Sequence, residues 1–246
     1  MVARRVRVAV AGEQLCKIPA TNYTDRHEKI LNCTTTIKNS HGVMKKALII
    51  FVRKPELGKV KTRLAATMGD EKALDVYKEL LVFTHNISLG VKADKFVFYL
   101  NEIEEIDLWS QGGYKKMLQC EGDLGEKMYN AFSSLFKNGY NQVMIIGSDC
   151  PELTTAIMED AFKMLKHNDV VLGPANDGGY YLLAMKKLYM ELFSNIEWST
   201  EKVLAQTLAA CTSAGLSYSL LPQLTDIDTE ADLNSVQHLF FQNVAT

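Results

Sequence analysis

The side chains best suited to bind phosphate lie in one short basic segment. Five of the eleven residues from Arg53 to Arg63 are basic, and a glycine lies among them. The candidates for phosphate binding are Arg53, Lys54, Gly58, Lys61 and Arg63. Lys and Arg side chains bind a diphosphate through charge-assisted hydrogen bonds. The segment therefore predicts a phosphate-binding loop, and a solvated basic loop without a ligand is the alternative.

Two common nucleotide-binding motifs are missing here. The pair Gly58-Lys59 would fit a P-loop only with a glycine five residues before the pair and a Ser or Thr directly after the lysine. Those positions hold Arg53 and Val60. The sequence also shows no G-x-G-x-x-G fingerprint, which weakens the case for a Rossmann dehydrogenase. A P-loop enzyme is excluded.

Acidic residues at two places have the chemistry to bind a divalent cation. Asp149 follows the apolar run 142–146, so its carboxylate is expected at the carboxyl end of a buried strand. Asp226 and Asp228 follow a later strand and are candidates for a second metal ligand. Mg²⁺ and Mn²⁺ bind to few carboxylates together with substrate phosphates. In the alternative interpretation these acids only cap helices.

A third candidate region joins two apolar strands. Residues 173–181 read Gly-Pro-Ala-Asn-Asp-Gly-Gly-Tyr-Tyr. Asn, Asp and Gly are ordinary turn residues, so a plain hairpin is one interpretation and a ligand-binding loop is the other. Farther on, Trp198 precedes Ser199 and Thr200, which predict the cap of a helix with the tryptophan as a hydrophobic staple.

The apolar pattern of the chain supplies the elements that bring these candidates together. Strands and helices alternate. The predicted strands are 47–52, 95–100, 142–146, 169–172, 180–185 and 217–221, and the predicted helices are 69–89, 124–137, 154–167, 200–214 and one from about 229. The alternation predicts an α/β fold, a three-layer α/β/α sandwich with a mostly parallel central sheet. Such a sheet binds ligands beyond the carboxyl ends of its strands.

The composition excludes several classes of protein. Of 246 residues, 27 are Lys or Arg and 29 are Asp or Glu, so no global field favours nucleic acid or an anionic membrane as a partner. No apolar run approaches the length that spans a bilayer. The five cysteines form no C-x-x-C pair. We expect a cytoplasmic protein with reduced thiols, and no pattern reports its oligomeric state.

Residues 1–43 differ in character from the rest of the chain. Thr, Asn, Lys and isolated apolar residues follow one another there without a helical or strand period. We expect a poorly structured N-terminal extension, which is either an upstream translation artefact or an accessory segment. A single domain is expected over residues 44–246.

Six motifs occur in order along that domain. They are Phe51-x-Arg53-Lys54-Pro55-x-x-Gly58-x-Val60-Lys61-Thr62-Arg63-Leu64, Gly122-Asp123-Leu124-Gly125-Glu126, Gly147-Ser148-Asp149-x-Pro151-x-Leu153, Gly173-Pro174-Ala175-x-Asp177-Gly178-Gly179-Tyr180, Trp198-Ser199-Thr200 and Asp226-x-Asp228-Thr229. Together they resemble a bacterial family, the arsenosugar-biosynthesis-type glycosyltransferases. The resemblance covers about residues 45–236, and six ordered motifs are far more specific than one alone.

The resemblance implies a GT-A fold of the nucleotide-diphospho-sugar transferase superfamily. It also implies that the basic segment binds the phosphates of a nucleotide and that Asp149 binds Mg²⁺ or Mn²⁺. Many glycosyltransferases of this fold carry an Asp-x-Asp pair, but here Gly147 and Pro151 stand where the second acid would lie. Asp228 is therefore the first choice for the second metal ligand.

Two reactions agree with the resemblance. In one, a sugar passes from a nucleoside diphosphate to a small-molecule acceptor. In the other, a sugar phosphate or similar anion attacks the α-phosphorus of a nucleoside triphosphate. Asp177 serves either reaction as a base or by positioning a hydroxyl, and the candidate sugar or acceptor contacts are Gly178, Gly179, Tyr180 and Trp198. A catalytically idle nucleotide-binding protein is the third alternative.

Overall fold

A seven-stranded sheet lies at the centre of the structure. A computed structural model describes residues 44–240. The strands are β1 (Lys46–Val52), β2 (Asp94–Tyr99), β3 (Tyr114–Leu118), β4 (Gln142–Ile146), β5 (Val170–Pro174), β6 (Tyr180–Met185) and β7 (Tyr218–Leu220). Their spatial order is β3-β2-β1-β4-β6-β5-β7, and among these strands β6 alone is antiparallel to its neighbours. The predicted mostly parallel sheet is confirmed.

Helices cover both faces of the sheet. They are α1 (Thr62–Met68), α2 (Asp70–Leu89), α3 (Leu124–Lys137), α4 (Thr155–Met164), α5 (Val203–Ser213) and α6 (Glu230–Phe240). Successive side chains of β1 alternate between the faces, as they must in a strand. Leu48 and Ile50 share a buried cluster with residues of α2 and α4, whereas Ala47 and Ile49 share one with residues of α3 and α5. This arrangement confirms the three-layer α/β/α sandwich.

The chain connections mark one edge of the sheet as the ligand-binding edge. From β1 the chain goes to β2 and then β3 on one side, and from β4 onward it builds the other side. The strand order therefore reverses between β1 and β4, which are parallel neighbours. In open α/β sheets, ligands bind beyond the carboxyl ends of the strands at such a reversal. The basic segment follows β1 and Asp149 follows β4, so both lie at this point.

Two elements were not predicted from the sequence. Helix α1 occupies Thr62–Met68 inside the stretch expected to be a loop, and β3 adds an edge strand at Tyr114–Leu118. β3 carries Lys115 and Lys116 and is buried only in part. Such an edge strand lacks the apolar run that identifies a buried strand in a sequence.

The predicted start of helix α5 is wrong. We expected a helix from residue 200 with a Ser/Thr cap, but α5 begins at Val203, and its N-cap Lys202 makes no side-chain capping bond. The hydroxyl of Thr200 donates to the carbonyl of Glu197 instead, at 2.7 Å. Thr200 stabilises the turn before the helix rather than the helix itself.

Two other threonines do cap helices. The hydroxyl of Thr154 accepts a hydrogen bond from the backbone N–H of Ile157 and so caps α4. Thr229 and Asp232 bond reciprocally at the start of α6, because each side chain accepts from the backbone N–H of the other. Since Thr154 caps α4, Asp149 is not needed for that purpose.

The described range leaves two expectations about the chain ends open. The expected extension at residues 1–43 lies outside the described residues, as do residues 241–246, so the domain limits of 44–246 stay a prediction. Within residues 44–240, no helix is long and apolar enough to cross a membrane.

Asp169 links the starts of β5 and β7. Its Oδ2 accepts hydrogen bonds from the hydroxyl and the backbone N–H of Ser217, at 2.6 and 2.9 Å. Its Oδ1 accepts from the hydroxyl of Tyr189 and lies 3.1 Å from Nζ of Lys186. The bonds from Ser217, followed by those from Lys186 and Tyr189, hold the pKa of Asp169 well below its ordinary range.

We predict that Asp169→Asn lowers the free energy of unfolding at neutral pH. A carboxyl whose pKa is lower in the folded state stabilises the protein above the unfolded pKa, about 3.9, and loses this effect as the pH falls below it. Urea denaturation at a series of pH values should therefore show a flatter acid limb for the variant. Ser217→Ala removes one of the donors and should give an intermediate curve. Equal acid limbs for Asp169→Asn and the wild type would contradict the prediction.

Candidate active site

A cavity of about 860 Å³ opens at the carboxyl edge of the sheet. Its size falls in the range that is usual for small-molecule sites. Ten of the residues predicted from the sequence line it: Arg53, Lys61, Arg63, Asp149, Asp177, Gly179, Tyr180, Trp198, Asp226 and Asp228. Residues from five separate segments of the chain thus surround one space, although the sequence alone could not place them together.

The basic segment divides into an outer and an inner part. Lys54 lies 2.5 Å from Glu102 and 3.3 Å from Glu104, and Lys59 lies 2.6 Å from Glu56. These two lysines are outside the cavity lining, as is the turn glycine Gly58 at φ +71. The acids neutralise Lys54 and Lys59, and the basic side chains from this segment that line the cavity are Arg53, Lys61 and Arg63.

Lys61 forms the electrostatic centre of the cavity. Its Nζ lies 3.0 Å from Oδ1 of Asp149 and 3.2 Å from Oδ1 of Asp228, and its side chain is 6% exposed. Burial works to lower the pKa of Lys61, but the charges of Asp149 and Asp228 prevail and hold that pKa above its ordinary value. The ammonium group therefore stays charged while it is almost completely removed from water.

The backbone at Lys61 is unusual for a residue with a side chain. It is in the left-handed conformation, at φ 48 and ψ 44, where it forms the N-cap of α1. A non-glycine residue in this region costs of the order of 1 kcal/mol or more. The left-handed backbone directs the side chain toward Asp149 and Asp228, and the ion pairs formed there offset this cost.

The two arginines differ in how they are held. Nη1 of Arg63 lies 3.8 Å from Oδ2 of Asp228, yet its side chain is 71% exposed. The backbone of Arg53 is fixed on both sides by the hydroxyl of Tyr77, which accepts from its N–H at 2.9 Å and donates to its carbonyl at 3.1 Å. Arg63 thus has the freedom to turn toward a ligand, while α2 anchors the start of the segment through Tyr77.

A backbone hydrogen bond brings the two acidic loops together. The N–H of Ile227 donates to the carbonyl of Asp149 at 2.9 Å. Ile227 is fully buried between α1, α2 and α6, so it acts as an apolar anchor between the flanking Asp226 and Asp228. The loop after β7 is therefore fixed against the loop after β4, with Asp228 beside Lys61 as a result.

The carboxyl group of Asp226 is less accessible to solvent than those of Asp149 and Asp228, whose side chains are each 40% exposed. Its Oδ1 is shut off from solvent and has no hydrogen-bond partner among the described residues. Burial raises the pKa of Asp226 to about 7, and the charges of Asp149, Asp177 and Asp228 act in the same direction, against the opposing charge of Lys61. The acidic side chains around Lys61 can therefore carry more negative charge than its single positive charge balances.

The loop from β5 to β6 is a hairpin that also lines the cavity. Its two strands pair antiparallel, and the backbone N–H of Gly179 donates to Oδ1 of Asp177 at 2.8 Å, which orients that carboxylate. Gly178 is at φ +87, and a Cβ there would lie 2.2 Å from the carbonyl oxygen of Glu201. Gly178 is outside the cavity lining, so it permits close packing of the loop rather than contact with a ligand.

Aromatic side chains form another wall of the cavity. Tyr180 and Trp198 line it, and both pack against the buried cluster under α3 and α5. The indole of Trp198 lies directly on α3, where a Cβ at Gly125 would come within 2.2 Å of its Nε1. Gly125 thus provides the space for Trp198, which explains why a glycine stands in the first turn of a helix.

Sequence reasoning missed further residues of the cavity, among them Tyr77 and Lys127. Tyr77 lies within the predicted helix 69–89, and its hydroxyl bonds to Arg53 could not be read from the pattern. Lys127 projects from α3 into the cavity lining. Lys127 directly follows the motif Gly122–Glu126 in the predicted helix 124–137. Asp123 and Glu126 form a capping box at the start of α3, and this structural role of the motif does not exclude the lysine from the site.

The comparisons with known proteins agree with this fold. Residues 86–200 match a family described as an uncharacterized protein conserved in bacteria (DUF2064). A solved structure from Desulfovibrio desulfuricans G20, provisionally described as a nucleotide-diphospho-sugar transferase, is 28% identical at a TM-score of 0.71. The match covers 81% of this chain and 98% of that one. The fold is that of the nucleotide-diphospho-sugar transferases.

Two more distant structures share the same fold. The 4-diphosphocytidyl-2C-methyl-D-erythritol synthase of Anaerococcus prevotii DSM 20548 is 12% identical with a TM-score of 0.52, over 79% of this chain and 95% of that one. A CMP:2-keto-3-deoxy-manno-octonic acid synthetase in complex with CTP is also 12% identical with a TM-score of 0.51, over 81% and 99%. At this identity the likeness concerns the fold alone. No curated protein matches the sequence.

We predict that Gly125→Ala moves the indole of Trp198. A glycine-to-alanine change within a helix normally adds up to about 1 kcal/mol of stability. Here the added methyl group would overlap the ring, so the variant should instead melt at a lower temperature and show a changed near-ultraviolet circular dichroism spectrum. Asn130→Ala, on the exposed side of the same helix, serves as the control. An unchanged aromatic spectrum together with a raised melting temperature would contradict the packing described for Gly125.

Proposed function

We propose that this protein is a glycosyltransferase that uses a nucleoside diphosphate sugar as donor and a small molecule as acceptor. The observation that carries the proposal is the group of Lys61, Arg63, Asp149 and Asp228 at the point where the strand order reverses. Cations placed in this way stabilise a departing diphosphate. The 28% identical structure of the same fold supports the assignment.

The distribution of charge favours a diphosphate over a triphosphate. Five cations in the basic segment would suit a triphosphate, but nearby glutamates neutralise Lys54 and Lys59 outside the cavity. Of those that remain, Lys61 already faces two carboxylates. A triphosphate carries more negative charge than this lining compensates. Nucleotidyl transfer therefore ranks second, and the product of the reaction distinguishes the two.

The residues at the site fit a divalent cation. Asp149 and Asp228 each place a carboxylate oxygen within 3.2 Å of one nitrogen atom, and Asp226 has a buried oxygen without a partner. Across residues 44–240, no three His, Cys, Asp or Glu side chains already form a closed ligand set. Carboxylate oxygens suit Mg²⁺ or Mn²⁺. We propose that Asp149 and Asp228 hold the ion, whose charge, when it is bound, stabilises the departing diphosphate.

The chain's own residues perform the other parts of the proposed reaction. Lys61 and Arg63 hold the diphosphate as the bond from its oxygen to the anomeric carbon breaks. Asp177 accepts the proton of the acceptor hydroxyl, whose oxygen forms the new bond to that carbon. The sugar or acceptor lies against Gly179, Tyr180 and Trp198.

The six ordered motifs support a finer assignment to the arsenosugar-biosynthesis type of bacterial glycosyltransferase. The proposed transferase domain covers residues 44–246. A match of residues 86–200 to a family of proteins conserved in bacteria agrees with a bacterial origin.

The released product tests the proposed function. The protein is incubated with Mn²⁺ and a mixture of small acceptors, and with nucleotide sugars or nucleoside triphosphates in separate reactions. Release of a nucleoside diphosphate that depends on the acceptor would support glycosyl transfer. Release of inorganic diphosphate from a triphosphate would move the assignment to nucleotidyl transfer. Binding without turnover of any donor would favour an idle nucleotide-binding protein.

We predict that Arg63→Ala weakens nucleotide binding by about tenfold or more, because it removes an exposed guanidinium that offers two parallel hydrogen bonds to a phosphate. Isothermal titration at constant ionic strength measures the effect. Lys59→Ala is the matched control, since it removes one positive charge from the same segment outside the cavity. Equal affinities of the two variants would mean that the segment acts only through its net charge.

We predict that Asp149→Asn abolishes Mn²⁺-dependent binding of the donor. The amide keeps the shape of the side chain but lacks the charge that a hard cation requires. The melting temperature of the unliganded protein should change little, because Lys61 keeps its contact with Asp228. A thermal-shift titration with and without Mn²⁺ reports both quantities. Asp160→Asn, on the exposed face of α4, is the control. A variant that is unfolded would show instead that Asp149 is structural.

A further inference from the structure

The ammonium group of Lys61 occupies the position between Asp149 and Asp228. Nζ of Lys61 contacts one oxygen of each carboxylate, at 3.0 and 3.2 Å. The lysine is held there by its left-handed backbone at the start of α1, whose Leu64 is fully buried. The carboxylates proposed to hold a divalent ion therefore already have a positive partner.

A lysine ammonium and a divalent ion cannot share these two carboxylates without strong repulsion. They would lie within a few ångström of each other. Water screens their repulsion only in part, because the side chain of Lys61 is 6% exposed while those of Asp149 and Asp228 are each 40% exposed. Asp149 and Asp228 carry two negative charges, and Lys61 together with Arg63, 3.8 Å from Asp228, supplies two positive ones. With Lys61 in place, this pair has no charge left for a divalent ion.

Phosphate is the group that can draw the lysine away. Its oxygens accept charge-assisted hydrogen bonds from an ammonium group and replace those lost from the carboxylates. The side chain of Lys61 lines the cavity into which the proposed diphosphate would bind. Lysine carries its charge on a flexible stem, so the ammonium can change partners without movement of the backbone.

We infer that Lys61 excludes divalent ions from the Asp149–Asp228 pair until the phosphates of a bound nucleotide take over its ammonium group. The inference rests on the proposed function, because it requires a ligand with phosphates. It makes Lys61 a positioning residue that sets the order of binding. Since the coupling between two ligands is reciprocal, the nucleotide and the ion raise each other's affinity by the same factor.

A purely structural role for Lys61 has a different consequence. If the lysine only holds the two acidic loops together, its removal lets Asp149 and Asp228 move apart, and no tighter cation site results. If it competes with the ion, its removal creates a better cation site. The affinity for Mn²⁺ without nucleotide separates the two roles.

The test is a titration of nucleotide-free protein with Mn²⁺, read by electron paramagnetic resonance of the free ion. We expect Lys61→Met to bind Mn²⁺ about tenfold or more tightly than the wild type, because the competing charge is gone and a side chain of similar length remains. Lys61→Arg, which keeps the charge, should bind as weakly as the wild type. Lys59→Met, a matched loss of charge in the same segment, should also leave the affinity unchanged.

Stability provides a second measurement on the same variants. Lys61→Met is expected to melt at a lower temperature than the wild type without metal, and millimolar Mn²⁺ should restore much more of its melting temperature than it adds to the wild type. A Lys61→Met protein that binds Mn²⁺ no better than the wild type overturns the inference, and so does one that stays unfolded in millimolar Mn²⁺. An equal gain in Lys59→Met would overturn it as well, because net charge would then explain the effect.

The outcome is independent of the test of the proposed function. The titration contains no nucleotide, so a failed gain in Mn²⁺ affinity leaves transferase activity to be judged by the released product. Conversely, a protein that turns over no donor can still show the gain, and in that case the exclusion of the ion by Lys61 in the free protein stands while the proposed function fails.

Discussion

The contact of Lys61 with Asp149 and Asp228 is the interaction on which the ligand-binding edge depends. The three residues come from the segments after β1, after β4 and after β7, and 167 positions of sequence separate Lys61 from Asp228. Without a cation between them, the carboxylates of Asp149 and Asp228 would repel each other. The buried ammonium group thus acts together with the backbone hydrogen bond from Ile227 to Asp149 to hold these loops against each other.

An apolar cluster beneath this contact keeps it in place. Leu64 of α1, Leu80 of α2, Val236 of α6 and Ile227 pack together below the charged groups. Ile227 also donates its N–H to the carbonyl of Asp149, so the packing of α6 determines where the acidic loop lies. Because protein interiors are closely packed, a change of volume in this cluster would shift the carboxylates above it. Stability and site geometry are therefore coupled here.

The sequence predicted the elements that an apolar period defines and missed those that it does not. The predicted strand 142–146 and helix 124–137 have the limits of β4 and α3, whereas β3, with two lysines on a half-buried edge, has no apolar period. The residue types of the site were recognisable, and six ordered motifs identified the fold. The partners of Lys61 could not be recognised, because an ion pair between residues distant in sequence leaves no local pattern. The left-handed conformation of Lys61 could not be predicted either, because the sequence does not distinguish such a lysine from any other.

The two sides of the cavity impose different demands on a ligand. Arg63 and the Lys61 group offer fixed charge at the strand reversal, whereas Tyr180 and Trp198 offer flat apolar surface against α3 and α5. A ligand that satisfies both must carry an anionic part and a part that packs on an aromatic ring, as the nucleoside diphosphate sugar of the proposed function does. The carboxylate of Asp177, oriented by the N–H of Gly179, lines the same cavity. A base belongs at the junction of the two parts, because the bond that breaks in glycosyl transfer joins the sugar to the diphosphate.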